Sequence, residues 1–166
     1  MEWTGARYAD TPCVEVETRV DAPPERVWAL VSDVEQMPSM STELQRVEWL
    51  DEPGAVGSRF VGYSRHQAIG EWSSPSQVIE CDEPRVFAWA VGDPAEPAAV
   101  WRFTLEPDGD GTRLRQWMQM GPGRSGLSLA IDRMPEKEQK IVYGRMREFE
   151  ANMAATLAAI KERVSA

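Results

Sequence analysis

The segment spanning residues 135–164 constrains the fold most, because it is the only stretch long and periodic enough to form a helix of about eight turns. Pro135 suits the first turn of a helix, and Glu136 and Glu138 suit the positive end of its dipole. Helical spacing predicts one apolar stripe, formed by Val142, Met146, Phe149, Met153, Leu157, Ile160 and Val164. A stripe of this kind needs an apolar partner surface.

The predicted partner is a sheet, because most of the upstream chain consists of short extended runs. Residues 14–20 alternate apolar and charged side chains, as a half-buried strand requires. Turn residues separate six further runs, at 44–50, 58–66, 71–81, 86–91, 99–106 and 112–120. This spacing is typical of an antiparallel meander, and the Asp-Gly pairs within 107–111 predict a hairpin between the last two strands.

Two short helical segments are predicted between the first and second strands. A proline pair starts the first of them, and Val27, Trp28, Leu30 and Val31 form its apolar face. We assign Trp28 to the core. Residues 34–40 add another turn or two, limited by Pro38. Further along, residues 121–134 connect the last strand to the long helix, either as a mobile lid or as a plain connector with a short helix in its second half.

Composition restricts the classes of function. A chain of 166 residues is predicted to form one domain, with a loosely ordered leader at 1–12. The net charge of −9 and the lack of a basic run argue against nucleic-acid binding. No apolar run is long enough to span a membrane and no signal peptide begins the chain, so we expect a cytoplasmic protein. Cys13, Cys81 and one histidine fall short of a metal site, and no cofactor is expected.

Several short motifs, taken in their order and spacing, make the interpretation more specific. They are APPERVW at 22–28, VSDV at 31–34, VEWL at 47–50, GSRF at 57–60, EW at 71–72, RVFAW at 85–89 and WRFTLEPDGDGTR at 101–113. Together they resemble the polyketide cyclase/dehydrase branch of the START-like (SRPBCC, birch-pollen-allergen-like) superfamily, over roughly residues 12–165. The family includes aromatase/cyclases, hydroxylase-associated domains and lipid carriers.

The resemblance implies an α+β helix-grip fold. In that fold a strongly curved, seven-stranded antiparallel sheet wraps around the long C-terminal helix, with two short helices between strands 1 and 2. It also implies an internal cavity for a hydrophobic or aromatic small molecule. We expect a monomer or a homodimer with such a ligand as its partner.

Strand periodicity predicts which side chains face this interior. For the third strand we choose Phe60, Gly62, Ser64 and His66 as inward, although Val61 and Tyr63 leave the opposite register open. Two further residues, Arg145 and Phe149, come from the long helix. The predicted ligand-binding residues are Phe60, Ser64, Trp72, Ser74, Ser76, Phe87, Trp89, Trp101, Phe103, Gln116, Met118, Arg145 and Phe149.

Few residues of the sequence are candidates for catalysis. His66 is the only histidine, so a general acid or base poised near neutral pH without a strong pKa shift has to be this residue. Arg65, His66 and Tyr143 are the catalytic candidates, and no nucleophile elbow is present. The leading hypothesis is a protein that binds a hydrophobic or aromatic small molecule in an internal cavity. Whether it also acts as a polyketide cyclase or dehydrase, by orienting its substrate with acid/base help, is left open. The alternative is a non-enzymatic carrier of a lipid or metabolite, a ligand sensor or an accessory subunit.

Three substitutions on the long helix are expected to differ in effect. Phe149→Ala is predicted to cost about 3 to 5 kcal/mol of stability because the residue lies in the middle of the stripe. Arg145→Ala and Tyr143→Phe are predicted to change stability by less than about 1 kcal/mol.

Overall fold

A computed structural model describes residues 3–165 and contains one seven-stranded antiparallel sheet. The strand order is β1-β7-β6-β5-β4-β3-β2, so every pair except β1–β7 joins strands that follow each other in the chain. The predicted meander and the helix-grip fold are confirmed. The strands are β1 Cys13–Val20, β2 Leu44–Trp49, β3 Arg59–His66, β4 Gly70–Asp82, β5 Val86–Val91, β6 Ala99–Asp108 and β7 Gly111–Met120.

The helices also follow the predicted order. They are α1 Pro24–Val31, α2 Gly126–Arg133 and α3 Glu138–Ser165, with short 3₁₀ segments at Tyr8–Asp10, Val34–Met40 and Pro135–Lys137. No helix within residues 3–165 combines the length and the apolar content needed to cross a membrane.

The apolar stripe of α3 packs against the concave face of the sheet, mainly along β1. Six of its seven predicted members are buried, and Phe149 is the half-buried exception. The helix therefore lies toward the β1 side of the sheet. This position leaves the concave face of the middle strands less covered than a centred helix would.

Two apolar clusters share the interior. The first surrounds α1 and the C-terminal half of α3, where the edge of Trp28 meets Phe87 at a ring separation of 6.0 Å. Trp28 is 6 % exposed, as expected for a core residue. The second surrounds the N-terminal half of α3 and includes Val14 and Met118. The two clusters meet near the middle of the sheet.

The N-terminal segment contributes to the second cluster. Trp3 is 5 % exposed, its Nε1 donates a hydrogen bond to the Cys13 carbonyl oxygen at 2.9 Å, and its ring meets the edge of Tyr143. Glu138 on α3 accepts hydrogen bonds from Arg7 and from the backbone N–H of Tyr8. Residues 3–12 thus pack against the domain rather than forming the loose leader expected from the sequence, which shows no periodic pattern here. Residues 1 and 2 lie outside the described part.

The connection after β7 is held by backbone hydrogen bonds. The N–H groups of Gly121 and Gly123 donate to the carbonyl oxygens of Ala98 and Pro97, each at 2.7 Å. A Cβ atom at Gly123 would lie 2.1 Å from the Glu96 carbonyl oxygen, so only glycine fits at this position. The first half of the predicted connector is therefore fixed to the β5–β6 loop.

Candidate functional site

The register of β3 decides which of its side chains face α3. Phe60 is buried on the concave side, and Tyr63 lies on the opposite face with the Arg46 guanidinium 3.9 Å above its ring. At the end of β3, His66 reaches α3 and contacts Glu148. The structure therefore adopts the register that places Phe60, Gly62, Ser64 and His66 inward.

An aromatic row crosses the concave face and ends on α3. The Phe60 ring meets Trp89 at 5.8 Å, and Trp89 stacks on Trp101 at 6.5 Å with 17° between the ring planes. Trp101 in turn meets the edge of Phe149 at 5.5 Å. Phe60 and Trp89 belong to the first apolar cluster and Trp101 and Phe149 to the second, so the row spans the junction between them.

This junction is more open than the rest of the interior. Phe87 and Phe103, which lie deeper in the first cluster, are 1 % and 0 % exposed. In contrast, Trp89, Trp101 and Phe149 are only half-buried, although they face the concave side. Part of each of these three side chains therefore remains accessible to solvent. We call the concave-side surface formed by Trp89, Trp101 and Phe149 the aromatic cleft.

A network of ion pairs and hydrogen bonds joins α3 to Glu43, which lies just before β2 at the edge of the sheet opposite β1. Arg145 is only 8 % exposed, and its Nη1 and Nη2 donate to the two carboxylate oxygens of Glu43 at 2.7 Å each. Its Nη1 also donates to Glu148 at 3.1 Å, and Asn152 Nδ2 donates to Glu43 at 3.0 Å. The guanidinium lies 4.3 Å above the Phe149 ring, so this network borders the aromatic cleft.

Both ring nitrogens of His66 have partners. The backbone N–H of Ala68 donates to Nδ1 at 2.9 Å, so Nδ1 carries no proton in this arrangement. Nε2 must then carry the proton, and it donates to Glu148 Oε2 at 2.7 Å. The hairpin after β3 thus fixes the tautomer of the histidine and directs it toward α3.

The network shifts the pKa values of two members. Burial acts to raise the pKa of Glu148, but hydrogen bonds from His66 and Arg145 outweigh it and hold the pKa below the usual 4.5. Burial likewise disfavours the charged form of Arg145, yet the bonds to Glu43 and Glu148 raise its pKa. Both shifts favour the ionised pair, so the network is built to keep its charges.

Gln116 carries an unsatisfied polar atom at the same junction. Among residues 3–165, its Oε1 is the only buried side-chain nitrogen or oxygen found without a hydrogen-bond partner. The residue is 6 % exposed and lies on β7 between Leu114 of the first cluster and Met118 of the second. It pairs across the sheet with Phe103. Such an atom costs free energy unless another molecule donates to it.

The remaining predicted site residues fall into three places. Phe87, Phe103 and Met118 are packed in the core, and Ser76 is buried with its hydroxyl donating to the Ser74 carbonyl oxygen. Ser64, Trp72 and Ser74 are half-buried on the concave face.

Two catalytic candidates lie away from the network. Arg65 is exposed, and only its backbone takes part, by donating to the Glu43 carbonyl oxygen at 2.9 Å. Tyr143 packs on Trp3 and accepts a hydrogen bond from Arg147 at 3.2 Å. Of the three candidates, the structure brings only His66 into the network with Arg145.

Sequence reasoning missed Glu43, Glu148 and Asn152. Glu148 lies three residues after Arg145 on the same helix, and this spacing is a usable signal for an ion pair. Glu43 lies 102 residues from Arg145 in the chain, just before an edge strand, and no local pattern links it to the helix.

The surface of the protein has two open depressions. One of about 390 Å³ is lined by Gln45, Tyr63, Ser64, Arg65, Glu71 and Trp72. It contains residues of both sheet faces, so it lies at the sheet end where β3 and β4 extend past β2. The other, of about 460 Å³, lies at the N-terminal segment around Trp3 and Cys13, away from the polar network. Within the described residues, no three His, Cys, Asp or Glu side chains are arranged to hold a metal ion.

Solved structures share this architecture. A polyketide cyclase-like protein of Corynebacterium glutamicum is 27 % identical, with a TM-score of 0.68 over 92 % of this chain and 91 % of the other. The ZhuI aromatase/cyclase of Streptomyces sp. R1128 is 18 % identical, with a TM-score of 0.71 over 93 % and 94 %. The two-domain aromatase/cyclase BexL of the BE-7585A biosynthetic pathway is 14 % identical, with a TM-score of 0.64 over 99 % of this chain and 53 % of its own.

The family comparison covers nearly the whole domain. No curated protein matches the chain at a significant level. The family model described as "Polyketide cyclase / dehydrase and lipid transport" matches residues 11–164, which include all seven strands and the residues of the aromatic cleft. This chain therefore belongs to the polyketide cyclase/dehydrase and lipid transport family.

Proposed function

We propose that the protein binds a hydrophobic or aromatic small molecule in the aromatic cleft and acts on it as a cyclase or dehydrase. The observation that carries this proposal is the half-open stack of Trp89 on Trp101 at the junction of two otherwise closed clusters. Exposed aromatic faces on a concave surface are costly in water and are typical of small-molecule sites. The family assignment and the aromatase/cyclase relatives support a ligand-binding role.

Each part of the cleft has a separate role in this proposal. Trp89 and Trp101 lie nearly parallel on neighbouring strands and offer aromatic surface against which a planar ring system packs. Phe149 limits the cleft on the helix side and is held in place by the Arg145 guanidinium above its ring. The depression beside Trp72 provides the opening through which the ligand enters.

A reaction in this cleft relies chiefly on orientation. Holding a flexible chain in one folded conformation supplies about 7 to 11 kcal/mol toward ring closure without a strong nucleophile. His66 is the acid/base group in this proposal, because it is the only histidine. Its Nε2–H is bonded to Glu148 in this structure, so it reaches a substrate oxygen only when it exchanges that partner for the substrate.

Two tryptophan variants test the binding site. Trp101 lies in the cleft, and Trp117 lies on the convex face under the Arg102 guanidinium. Titration calorimetry with naphthalene should show binding by the wild type and by Trp117→Ala, and an affinity for Trp101→Ala lower by about 2- to 10-fold. Equal affinity of the two variants, or no binding by the wild type, would contradict the proposal.

A non-enzymatic carrier is the second candidate. It is favoured by the polar network, in which Arg145 and His66 already bond to protein groups rather than facing an empty site. Incubation with a linear poly-β-ketone thioester separates the two functions. A cyclase forms a ring product faster than buffer does and loses this advantage in His66→Ala, whereas a carrier binds the compound and leaves it unchanged.

A further inference from the structure

The charge of the polar network bears on which ligands the cleft accepts. Glu43 and Glu148 each contribute one negative charge, Arg145 contributes one positive charge, and His66 is in its Nε2–H tautomer, which is neutral. The sum is one negative charge at the border of the cleft. Buried arginines in ligand sites often bind carboxylates or phosphates, but here the protein supplies two carboxylates of its own.

The donors of Arg145 are also largely occupied. Nη1 donates to both Glu43 and Glu148, Nη2 donates to Glu43, and one face of the guanidinium is covered by Phe149. Three of its five N–H donors are thus used, and an anionic ligand that replaced Glu43 would also take the acceptor from Asn152. The displaced carboxylate would then remain without its buried partner, which is unfavourable.

Gln116, the second polar group at the junction of the two clusters, also presents a hydrogen-bond acceptor, as the Glu43 and Glu148 carboxylates do. Gln116 Oε1 is buried without a donor, between two apolar clusters and across from Phe103. A ligand hydroxyl or N–H placed over this part of β7 would satisfy it. A ligand carboxylate would instead face a second acceptor.

We infer that the cleft selects uncharged ligands that carry hydrogen-bond donors and excludes anionic ones, with Glu43 setting the charge selectivity and Gln116 accepting from the ligand. This inference rests on the proposed function, because it concerns the same cleft. It assigns phenol-like ring compounds to the site and excludes free fatty acids and other carboxylates.

Three compounds that share the naphthalene ring system test the inference by titration calorimetry at neutral pH. Naphthalene reports the apolar contact alone, 2-naphthol adds a donor and 2-naphthoate adds a negative charge. We expect the wild type to bind 2-naphthol more tightly than 2-naphthoate by about tenfold or more. Glu43→Gln should reduce that ratio by about tenfold, because it removes one charge and nearly keeps the side-chain shape.

Two further variants control the result. Glu48→Gln removes the same charge from an exposed position on β2 and should leave the ratio unchanged. Gln116→Leu should lower the affinity for 2-naphthol by about 2- to 10-fold and leave the affinity for naphthalene unchanged. Urea melts on each variant establish that it is folded under the conditions of the titration.

The outcomes separate the two proposals. If naphthalene binds in the cleft but 2-naphthoate binds as tightly as 2-naphthol, or Glu43→Gln leaves the ratio unchanged, the charge selectivity is wrong and the proposed binding function stands. If Gln116→Leu binds 2-naphthol like the wild type, Gln116 is not the ligand acceptor. If none of the three compounds binds, the proposed function fails and this inference fails with it.

Discussion

Arg145 on α3 and Glu43 just before β2 form a two-pronged ion pair, with both oxygen–nitrogen distances at 2.7 Å. The pair joins the long helix to the edge of the sheet opposite β1, where the helix packs by apolar contacts. The grip on α3 is thus apolar on one side and ionic on the other. The aromatic cleft lies between the two sides.

This geometry changes the expected cost of removing Arg145. The sequence alone predicts a loss below about 1 kcal/mol. In the structure the side chain is 8 % exposed and Glu43 is 15 % exposed, so Arg145→Ala leaves a nearly buried carboxylate without its partner. We therefore expect the free energy of unfolding to fall by about 3 kcal/mol in urea melts. Arg85→Ala, which breaks an exposed pair with Asp82, should cost less than about 0.5 kcal/mol. Similar values for the two variants would contradict this.

The half-buried position of Phe149 reduces its expected contribution to stability. Phe149→Ala should cost about 2 kcal/mol rather than the 3 to 5 kcal/mol expected for a fully buried ring, because solvent already reaches part of it. Met153, one turn further along and 1 % exposed, provides the comparison. Met153→Ala should cost more, about 3 kcal/mol in the same urea melts. A larger loss for Phe149→Ala would mean that the ring is part of the closed core.

Gly144 offers a stabilising substitution. It lies inside α3, it is exposed, and a Cβ atom at this position would meet nothing within 4 Å. Neither room for a ligand nor a close packing contact explains the glycine. Gly144→Ala should therefore raise the free energy of unfolding by about 1 kcal/mol, because alanine has the higher helix propensity. The matched control is Gly123→Ala, whose Cβ would clash with the Glu96 backbone, and it should destabilise the protein.

Acidification should weaken the network through Glu148. Its pKa in the folded protein lies below the usual 4.5, so its contribution to stability is fully present above that value and is lost as the pH falls through the lower folded-state pKa. Between about pH 7 and about pH 3, the wild type should lose more stability than Glu148→Gln does, by up to about 1 kcal/mol because the side chain is 45 % exposed. Glu17 and Asp51 have lowered pKa values too and contribute equally to both proteins.

Glu150 provides the control for this experiment, because it is an exposed glutamate on the same helix. Glu150→Gln should follow the wild type over the whole pH range. If Glu148→Gln follows the wild type as well, the bonds from His66 and Arg145 do not hold the Glu148 pKa down in solution.

Local patterns in the sequence were sufficient for most of the fold. Strand alternation, Asp-Gly turn chemistry and the periodic stripe of α3 depend on neighbours within a few residues, and these act in the same way in any tertiary context. Period two also placed Phe60 of β3 and Leu114 and Met118 of β7 on the buried face, whereas on β5 Ala88 and Ala90 of the opposite face are buried as well. Helical spacing assigned Trp28 to the core, and strand alternation grouped Phe87 with the inward residues.

Only the tertiary structure decided what the inward residues do. Alternation places both Phe103 and Trp101 inside, but α1 packs against β6 and closes the core over Phe103, whereas Trp101 lies in the other cluster and stays half-buried. The partners of Arg145 and His66 likewise depend on tertiary structure, because the curvature of the sheet brings Glu43 and the hairpin after β3 within reach of α3. Contacts between residues about 80 to 100 positions apart leave no local pattern, so the polar side of the cleft becomes visible only once the sheet has curved around the helix.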